Sequence, residues 1–483
     1  MREPRRGGAM SFRPSRSVWF GLVLILVGAG GAIALPRIYR TALLGSGYMA
    51  QTLCGGIFIS GRDPKSLLDQ DLTGKGLELL VLFQPEIDLK AKRVSASAFG
   101  IGRQKAIFRD GLGCTLLDGR SEAELKAEAA SLPPLPTPIN EDALWPEGER
   151  VALDALPKGI DGAALEQAID SVFAEPDPAH PRRTRALVVV QGGRIVAERY
   201  APGFNAAMPM IGWSISKSAV NALIGLRVKD GKLALTDTAL IPEWRDQGDP
   251  RRAITVDELM RMTSGLAFDE SYGDTESDVA QMLFVKGDKA GFAADKPLAF
   301  PPDTHWAYSS GTTTILAGVL RQSFNDERDY LRYPEQRLFG ALGMRSAVLE
   351  PDASGIFAAS SFLYATARDF ARLGLFFLHD GVWEGRRVLP AGWVAYALTP
   401  TKLSPGGEYG AHVWLKLPES SGGGEPPMPE DAYYMLGHDD QVVAVVPSRD
   451  LVIVRLGLTQ EDGDWDSARD LAPIVSAFPL TAQ

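Results

Sequence analysis

At 483 residues, with 45% hydrophobic and 23% charged side chains, the chain is too long for one small domain and too apolar to be disordered. Its net charge of −10 is unevenly placed: residues 1–40 hold seven arginines and one glutamate, leaving −16 on the rest. An acidic body repels phosphate backbones, which argues against nucleic acid as a partner.

Residues 1–17 form a basic leader carrying Arg2, Arg5, Arg6, Arg13 and Arg16, and residues 18–35, VWFGLVLILVGAGGAIAL, follow without a charge. A run of that length is just enough to span a bilayer as a helix. The arginine excess keeps the leader in the cytoplasm and exports the remainder. The expectation is a single-pass anchor in the cell inner membrane, with the body in the periplasm or outside. A cleaved signal peptide, leaving a secreted protein, is the alternative, since Ala32-Ile33-Ala34 has the small-x-small pattern of a cleavage site. The only cysteines, Cys54 and Cys114, both follow this run. In an oxidising compartment they are expected to pair, closing a loop of roughly 60 residues worth about 4 kcal/mol in the chain-entropy account. Two buried free thiols are the alternative.

Residues 45–130 read as a small β-rich module, with strands at 77–83 (LELLVLF) and 95–102 (SASAFGIG) and a helix at 121–132. Residues 131–160 include a proline-rich stretch that cannot be one helix and reads as an extended linker. From 161 to 483 the pattern is mixed. Strands 186–191 and 194–200 flank Gly192-Gly193 as a hairpin. An amphipathic helix opens at Ser214 and ends at Asp230-Gly231. The glycine-rich 420–430 is a loop insertion. A second hairpin, 441–447 and 451–457, and a helix at 465–476 close the chain. Strands at both ends with helices between imply a mixed α/β (α+β) domain built on one antiparallel sheet.

Three segments carry chemistry. In Ser214-Ile215-Ser216-Lys217 the spacing puts serine and lysine on one helical face. A serine hydroxyl needs a base to become a nucleophile, and a buried lysine can be one. The helix N-terminus favours the negative charge that develops during attack. In Tyr308-Ser309-Ser310-Gly311 a phenol beside an ammonium can lose its proton more easily and shuttle protons. Gly437-His438-Asp439-Asp440-Gln441 precedes an apolar strand, whose edge can donate a backbone N–H to an oxyanion. Taken singly, the second reads more readily as a core or surface tyrosine, and the third equally as a polar turn before a hairpin. The five histidines show no paired-ligand spacing, so neither a metal nor another cofactor is expected. Asp269, Glu270 and Asp274 read as a solvated loop more readily than as a cleft wall.

Together the three segments resemble the class C β-lactamase and D-alanyl-D-alanine carboxypeptidase superfamily, whose motifs are Ser-x-x-Lys, Tyr-x-Asn and Lys-Thr-Gly in that order. GWSISKS (212–218), HWAYSSG (305–311) and GHDDQVVAVVPSRDLVIVRLG (437–457) are most similar to its esterase and 6-aminohexanoate-dimer hydrolase-like members. The resemblance covers roughly 165–480. It implies a β-lactamase-like antiparallel sheet flanked by helices, with a helical subdomain. Ser214 becomes the acyl-accepting nucleophile, and Lys217 and Tyr308 the proton-transfer pair. The backbone N–H groups of Ser214 and Gln441 form the oxyanion hole. Three residues depart from the motifs: Ser310 stands where the family has asparagine, His438 where it has lysine, and Asp440 where it has glycine. Asp440 would narrow the cleft or place a charge in it, and with Asp439 would favour protonated His438 and Lys217. The reading is a serine hydrolase acting on a small-molecule or peptide-like amide or ester. An inactive binding or sensor protein of the same fold, and a true β-lactamase or peptidoglycan carboxypeptidase, remain the other readings. Oligomeric state is not legible.

Overall fold

The computed structural model describes residues 16–134, 142–152, 156–418, 427–460 and 462–481, with side chains from Leu35 onward. Most of the basic leader, the side chains of the apolar run before Leu35, and parts of the linker and of the glycine-rich loop lie outside it. Among the described residues no helix is long and apolar enough to cross a membrane; the expected anchor, residues 18–35, lies outside the described side chains except for Leu35.

The first helix, α1 (Arg16–Phe58), lays its C-terminal part across a four-stranded antiparallel sheet. That sheet runs β1 (Phe83–Asp88), β2 (Arg93–Ala98), β3 (Ile101–Arg109), β4 (Gly113–Leu116). Leu53 and Cys54 of α1 pack on Val94, Ala106 and Leu116, and the Cys54–Cys114 disulfide joins helix to β4. Helices α2 (Pro64–Gln70) and α3 (Glu122–Ala130) complete the module, each opened by a side-chain cap, Asp63 and Ser121. The expected strand at 77–83 is corrected: Glu78–Leu82 is a 3-10 turn and β1 starts at Phe83. Leu79, Val81 and Leu82 are exposed, so no sheet face takes them up. Pro85 fits β1 because the strand is an edge.

The larger unit starts with α4 (Gly162–Phe173), followed by strands β5 (Thr184–Gln191) and β6 (Arg194–Tyr200). Gly192 and Gly193 both take positive φ, 59° and 72°, as the two-residue turn requires. Next come β7 (Met210–Ile211) and α5 (Ile215–Lys229), then the short strands β8 (Val348–Leu349) and β9 (Leu363–Ala365), which form a small sheet with β7, and a hairpin of β10 (Val382–Trp383) and β11 (Arg386–Arg387). Strands β12 (Tyr433–Gly437), β13 (Gln441–Val446) and β14 (Leu451–Gly457) return to β5, giving one antiparallel sheet in the order β12-β13-β14-β5-β6. Alternate residues face opposite layers. Leu187, Val189 and Ile453 meet α4 and the C-terminal helix Ser467–Ser476, whereas Val188, Val190 and Val452 meet the helical side. Helix α5, read as amphipathic, is instead buried on every side from Ile215 to Arg227. Its polar residues are satisfied inside: Ser218 Oγ donates to the carbonyl of His412 and Asn221 Nδ2 to that of Ala411, both at 2.8 Å.

The two units are locked together. Asp71 receives both guanidinium nitrogens of Arg185 in β5 (2.7 and 3.0 Å) and one from Arg62 (2.7 Å). Glu350, fully buried, accepts from the Cys114 backbone N–H and from Gln51 Nε2. The expected extended linker also docks where it is described. Residues 143–150 close a turn around buried Trp145, and Arg372 donates to the carbonyls of Pro146 and Gly148.

Candidate active site

Ser214 is the N-cap of α5, yet its side chain makes no capping bond. The hydroxyl is left for Lys217 one turn on, whose Nζ lies 2.8 Å from Ser214 Oγ. Trp213, immediately before it, is held at φ +47°, a strained value that turns the chain from β7 into the helix. Lys217 is buried. Burial pushes its ammonium down to about 8, and the charge of Glu270 works in the opposite direction. Its Nζ has two further partners, Ser310 Oγ and the Ser360 carbonyl, both at 3.2 Å. The Ser310 hydroxyl already donates its proton to Glu270 Oε1 (2.5 Å), so toward Lys217 it can only accept. A neutral Lys217 therefore spends its two N–H bonds on Ser310 and Ser360, and its lone pair is left to face the Ser214 hydroxyl.

Tyr308 hydrogen-bonds Ser214 through its phenol, and its ring face, not its oxygen, meets Lys217 Nζ at 4.7 Å from the centroid. Burial raises the phenol well above its ordinary value, with Glu270 adding to the effect and only the bond to Ser214 opposing it. Burial thus works against the easily ionised tyrosine that the sequence suggested. Around it stand Tyr409 and Trp414, with ring centroids 5.9 and 5.5 Å away.

Glu270, read from sequence as part of a solvated loop, belongs to the site. Its carboxylate accepts from both the backbone N–H and the hydroxyl of Ser310, and from the Tyr272 hydroxyl at 3.1 Å. Tyr272 in turn stacks on His438 (4.9 Å), which meets Trp213 edge-on (5.6 Å). Ser310, which stands where the family has its asparagine, is completely buried behind Lys217 with its hydroxyl committed on both sides. Neither Glu270 nor the Ser360 carbonyl sits at a motif spacing. The sequence signal for Glu270 was only its place in a polar segment between two of the motifs.

The third segment forms the turn between β12 and β13. Gly437 packs so closely on Gly212 that a Cβ there would lie 2.2 Å from the Gly212 carbonyl oxygen, which seats the turn beside the start of α5. Asp439 and Asp440 both stand at φ +58°. The side chain of Gln441 is buried and braces the turn: Nε2 donates to the carbonyls of His438, Asp439 and Gly457, and Oε1 accepts from Gly457 N–H. The Asp440 carboxyl is pushed up to about 6 by burial, against the pull of Arg455, whose Nη1 also donates to the Asp440 carbonyl at 2.8 Å. The charge acting on Lys217 comes from Glu270, not from Asp439 or Asp440, so the expected strengthening of the Lys217 ammonium by these aspartates does not hold. Of the three, His438 is the exposed one. His412 is a core residue: burial, then Lys217, hold it down to about 3, and its Nε2 lies 2.7 Å from Thr313 Oγ1.

A family model described as Beta-lactamase matches residues 169–475. A 6-aminohexanoate-dimer hydrolase from Paenarthrobacter ureafaciens is 27% identical over 292 residues, covering 56% of this chain and 68% of that protein. Among solved structures, a Bacillus anthracis protein provisionally assigned as a 6-aminohexanoate-dimer hydrolase superposes with a TM-score of 0.52 at 22% identity, over 70% of this chain and 88% of that one. A provisionally assigned β-lactamase from Bacteroides dorei gives 0.52 at 17% identity, over 66% and 98%. At these identities the structural likeness speaks for the fold.

Proposed function

Because the chain belongs to the beta-lactamase family, we propose that it is a serine hydrolase that cleaves an amide or ester through an acyl-enzyme on Ser214. The observation that carries this reading is the partnering of Lys217. Two of its three contacts can only accept, so the neutral amine offers its lone pair to Ser214 Oγ at 2.8 Å. Lys217 takes the hydroxyl proton as Oγ bonds to the substrate carbonyl carbon. The oxyanion that forms faces the N-terminus of α5 and the backbone N–H groups of Ser214 and Gln441. Tyr308, protonated, gives its proton to the departing amine or alcohol as the C–N or C–O bond breaks; a water then adds to the acyl carbon, its proton returning to the Tyr308 phenolate, and the acyl–Oγ bond breaks as Lys217 returns its proton to Ser214 Oγ. The relative from Paenarthrobacter ureafaciens is described as hydrolysing the 6-aminohexanoate dimer, which favours an amide among the two bond types. The basic leader and the 18–35 run support an anchored protein with this site outside the cytoplasm.

The test is covalent labelling by a fluorophosphonate together with turnover of p-nitrophenyl butyrate, a short amide and nitrocefin, each beside Ser214→Ala. Labelling and ester or amide turnover lost in Ser214→Ala are the expected results. Labelling that persists unchanged in that variant would assign the nucleophile elsewhere. No labelling of the parent would favour a binding protein, and nitrocefin turnover a β-lactamase.

A further inference from the structure

The N-terminal module carries a group of exposed apolar side chains at one end. Leu35, Ile38 and Tyr39 on α1 are 67, 57 and 52% exposed, Val81 before β1 is 83% exposed, and Phe99 and Ile101 at the β2–β3 turn are 73 and 48% exposed. Three contacts place these positions around the same stretch of helix. Gly102 abuts Ala42 and Leu43, and Phe83 abuts Gly45. Phe83 is also paired with Ala98, which is paired with Ile101. The β2–β3 turn and the segment leading into β1 therefore flank α1 just beyond Tyr39, and Leu35 to Ala42 spans only about 10 Å of helix. Elsewhere the exposed large apolar residues stand apart, as Leu89 does at the opposite end of β1.

Isolated exposed leucines need no explanation, but a ring of them around one helix does. What covers this ring is indicated by α1 itself. The helix is continuous from Arg16, so its next turns toward the N-terminus are the uncharged run 18–35. A second copy of the chain docking here would have to pack against a helix that leads directly into that run. A bilayer meets both surfaces at once. The side chains suit its boundary, where aromatic rings and arginines sit at headgroup depth: Tyr39 and Phe99 are aromatic, and Arg37 and Arg40 flank Ile38 and Tyr39 in the chain.

We propose that this end of the module is a lipid-facing collar that seats in the boundary between headgroups and acyl chains around α1, fixing the body against the membrane. It rests on the reading of 18–35 as an anchor. The test uses the full chain, whose two native cysteines are paired, reconstituted in phosphatidylcholine–phosphatidylglycerol vesicles. Nitroxide labels go at Val81→Cys, Phe99→Cys, Leu89→Cys and Leu26→Cys, and each is read for collision with oxygen, which concentrates in lipid, and with a water-soluble nickel chelate. The expected result is an oxygen-to-nickel ratio several-fold higher at 81 and 99 than at 89, approaching that at 26. Labels at 81 and 99 as open to nickel as that at 89, with 26 still in lipid, overturn the collar and leave the anchor standing. Labels at 81 and 99 shielded from both agents mean that protein covers the surface, and also overturn it. A label at 26 open to nickel removes the anchor and the collar together, without bearing on Ser214 chemistry.

Discussion

At the scale of single residues, the site turns on which group is the base and when. On the proposed reading the active form of Lys217 is the neutral amine, and burial pushes its ammonium down to about 8. Below that pH the ammonium donates to Ser214 and no lone pair is free; above it the amine accepts the hydroxyl proton. kcat/KM for p-nitrophenyl butyrate is therefore expected to rise with pH along a limb centred near 8 and then level off. Glu270 is the charge that favours the ammonium, so Glu270→Gln should move that limb to lower pH. A purely structural role for Glu270 would lower the plateau without moving the limb, and a limb that stays in place or moves to higher pH would falsify this account. Lys217→Arg should abolish the limb and cost several orders of magnitude, because a guanidinium does not surrender its proton. Ser214 and Lys217 were legible because a helix converts a spacing of three into a contact. Glu270 and the Ser360 carbonyl were not. They reach Ser310 and Lys217 only through the tertiary fold, and a backbone carbonyl carries no sequence signature at all.

At the scale of elements, the two hairpins of the larger unit were read best, because alternation and turn chemistry act locally, whereas 95–102, read as one strand, is broken by the β2–β3 turn at Phe99-Gly100. Gly192-Gly193 fixed one hairpin, and β13 and β14 followed their apolar runs to within a residue. Reading failed where burial depends on what lies across the gap. LELLVLF has the composition of a strand but no partner face, and α5 carries Ser216, Ser218 and Asn221 on sides that only the surrounding helices and loops bury. The β12–β13 turn shows the same limit. Asp440 in place of the motif glycine suggested a charge in the cleft, whereas its carboxyl answers to Arg455. Asp440→Gly thus relieves a positive φ and leaves Arg455 its bonds to the Asp440, Arg182 and Thr184 groups. Gains from the freed backbone and losses from added chain entropy are each about 1 kcal/mol or less, so thermal stability should change little and the pH limb of kcat/KM not at all. Gln441→Ala is expected to behave differently. It strips the brace from three carbonyls and one N–H, and a loss of about 2–3 kcal/mol should accompany a clear fall in turnover. An Asp440→Gly limb displaced by a full pH step would mean that the turn does reach Lys217.

At the scale of the whole molecule, the N-terminal module is joined to the hydrolase unit by buried polar contacts, and the disulfide sits at their centre. Cys54 is on α1 and Cys114 on β4; the Cys114 N–H is held by Glu350, and Gln51, one turn before Cys54, holds the other Glu350 oxygen. Cutting the cross-link therefore loosens both arms of the Glu350 clamp as well as enlarging the unfolded ensemble. The closed loop alone predicts a loss of about 4 kcal/mol for the double variant Cys54→Ala, Cys114→Ala. The Glu350 carboxyl is held up to about 8 by burial, partly offset by those two donors. Its folded value thus lies above its unfolded one, so the stability it contributes is fully present at low pH and is lost as pH rises toward and through about 8. The melting midpoint of the double variant should consequently fall below that of the parent at every pH. Both proteins should weaken between pH 5 and 9, and Glu350→Gln should flatten that slope. The Lys217–Ser214 pair is held by α5 and by residues 308–310 and 360, none of which belongs to the module. Ester turnover per folded molecule should therefore survive the cut at temperatures well below the new midpoint. Calorimetry of parent, double variant and parent with reductant separates the possibilities. Equal midpoints in all three would make the cross-link redundant with the Glu350 clamp, and turnover lost ahead of melting would show that the module shapes the cleft itself.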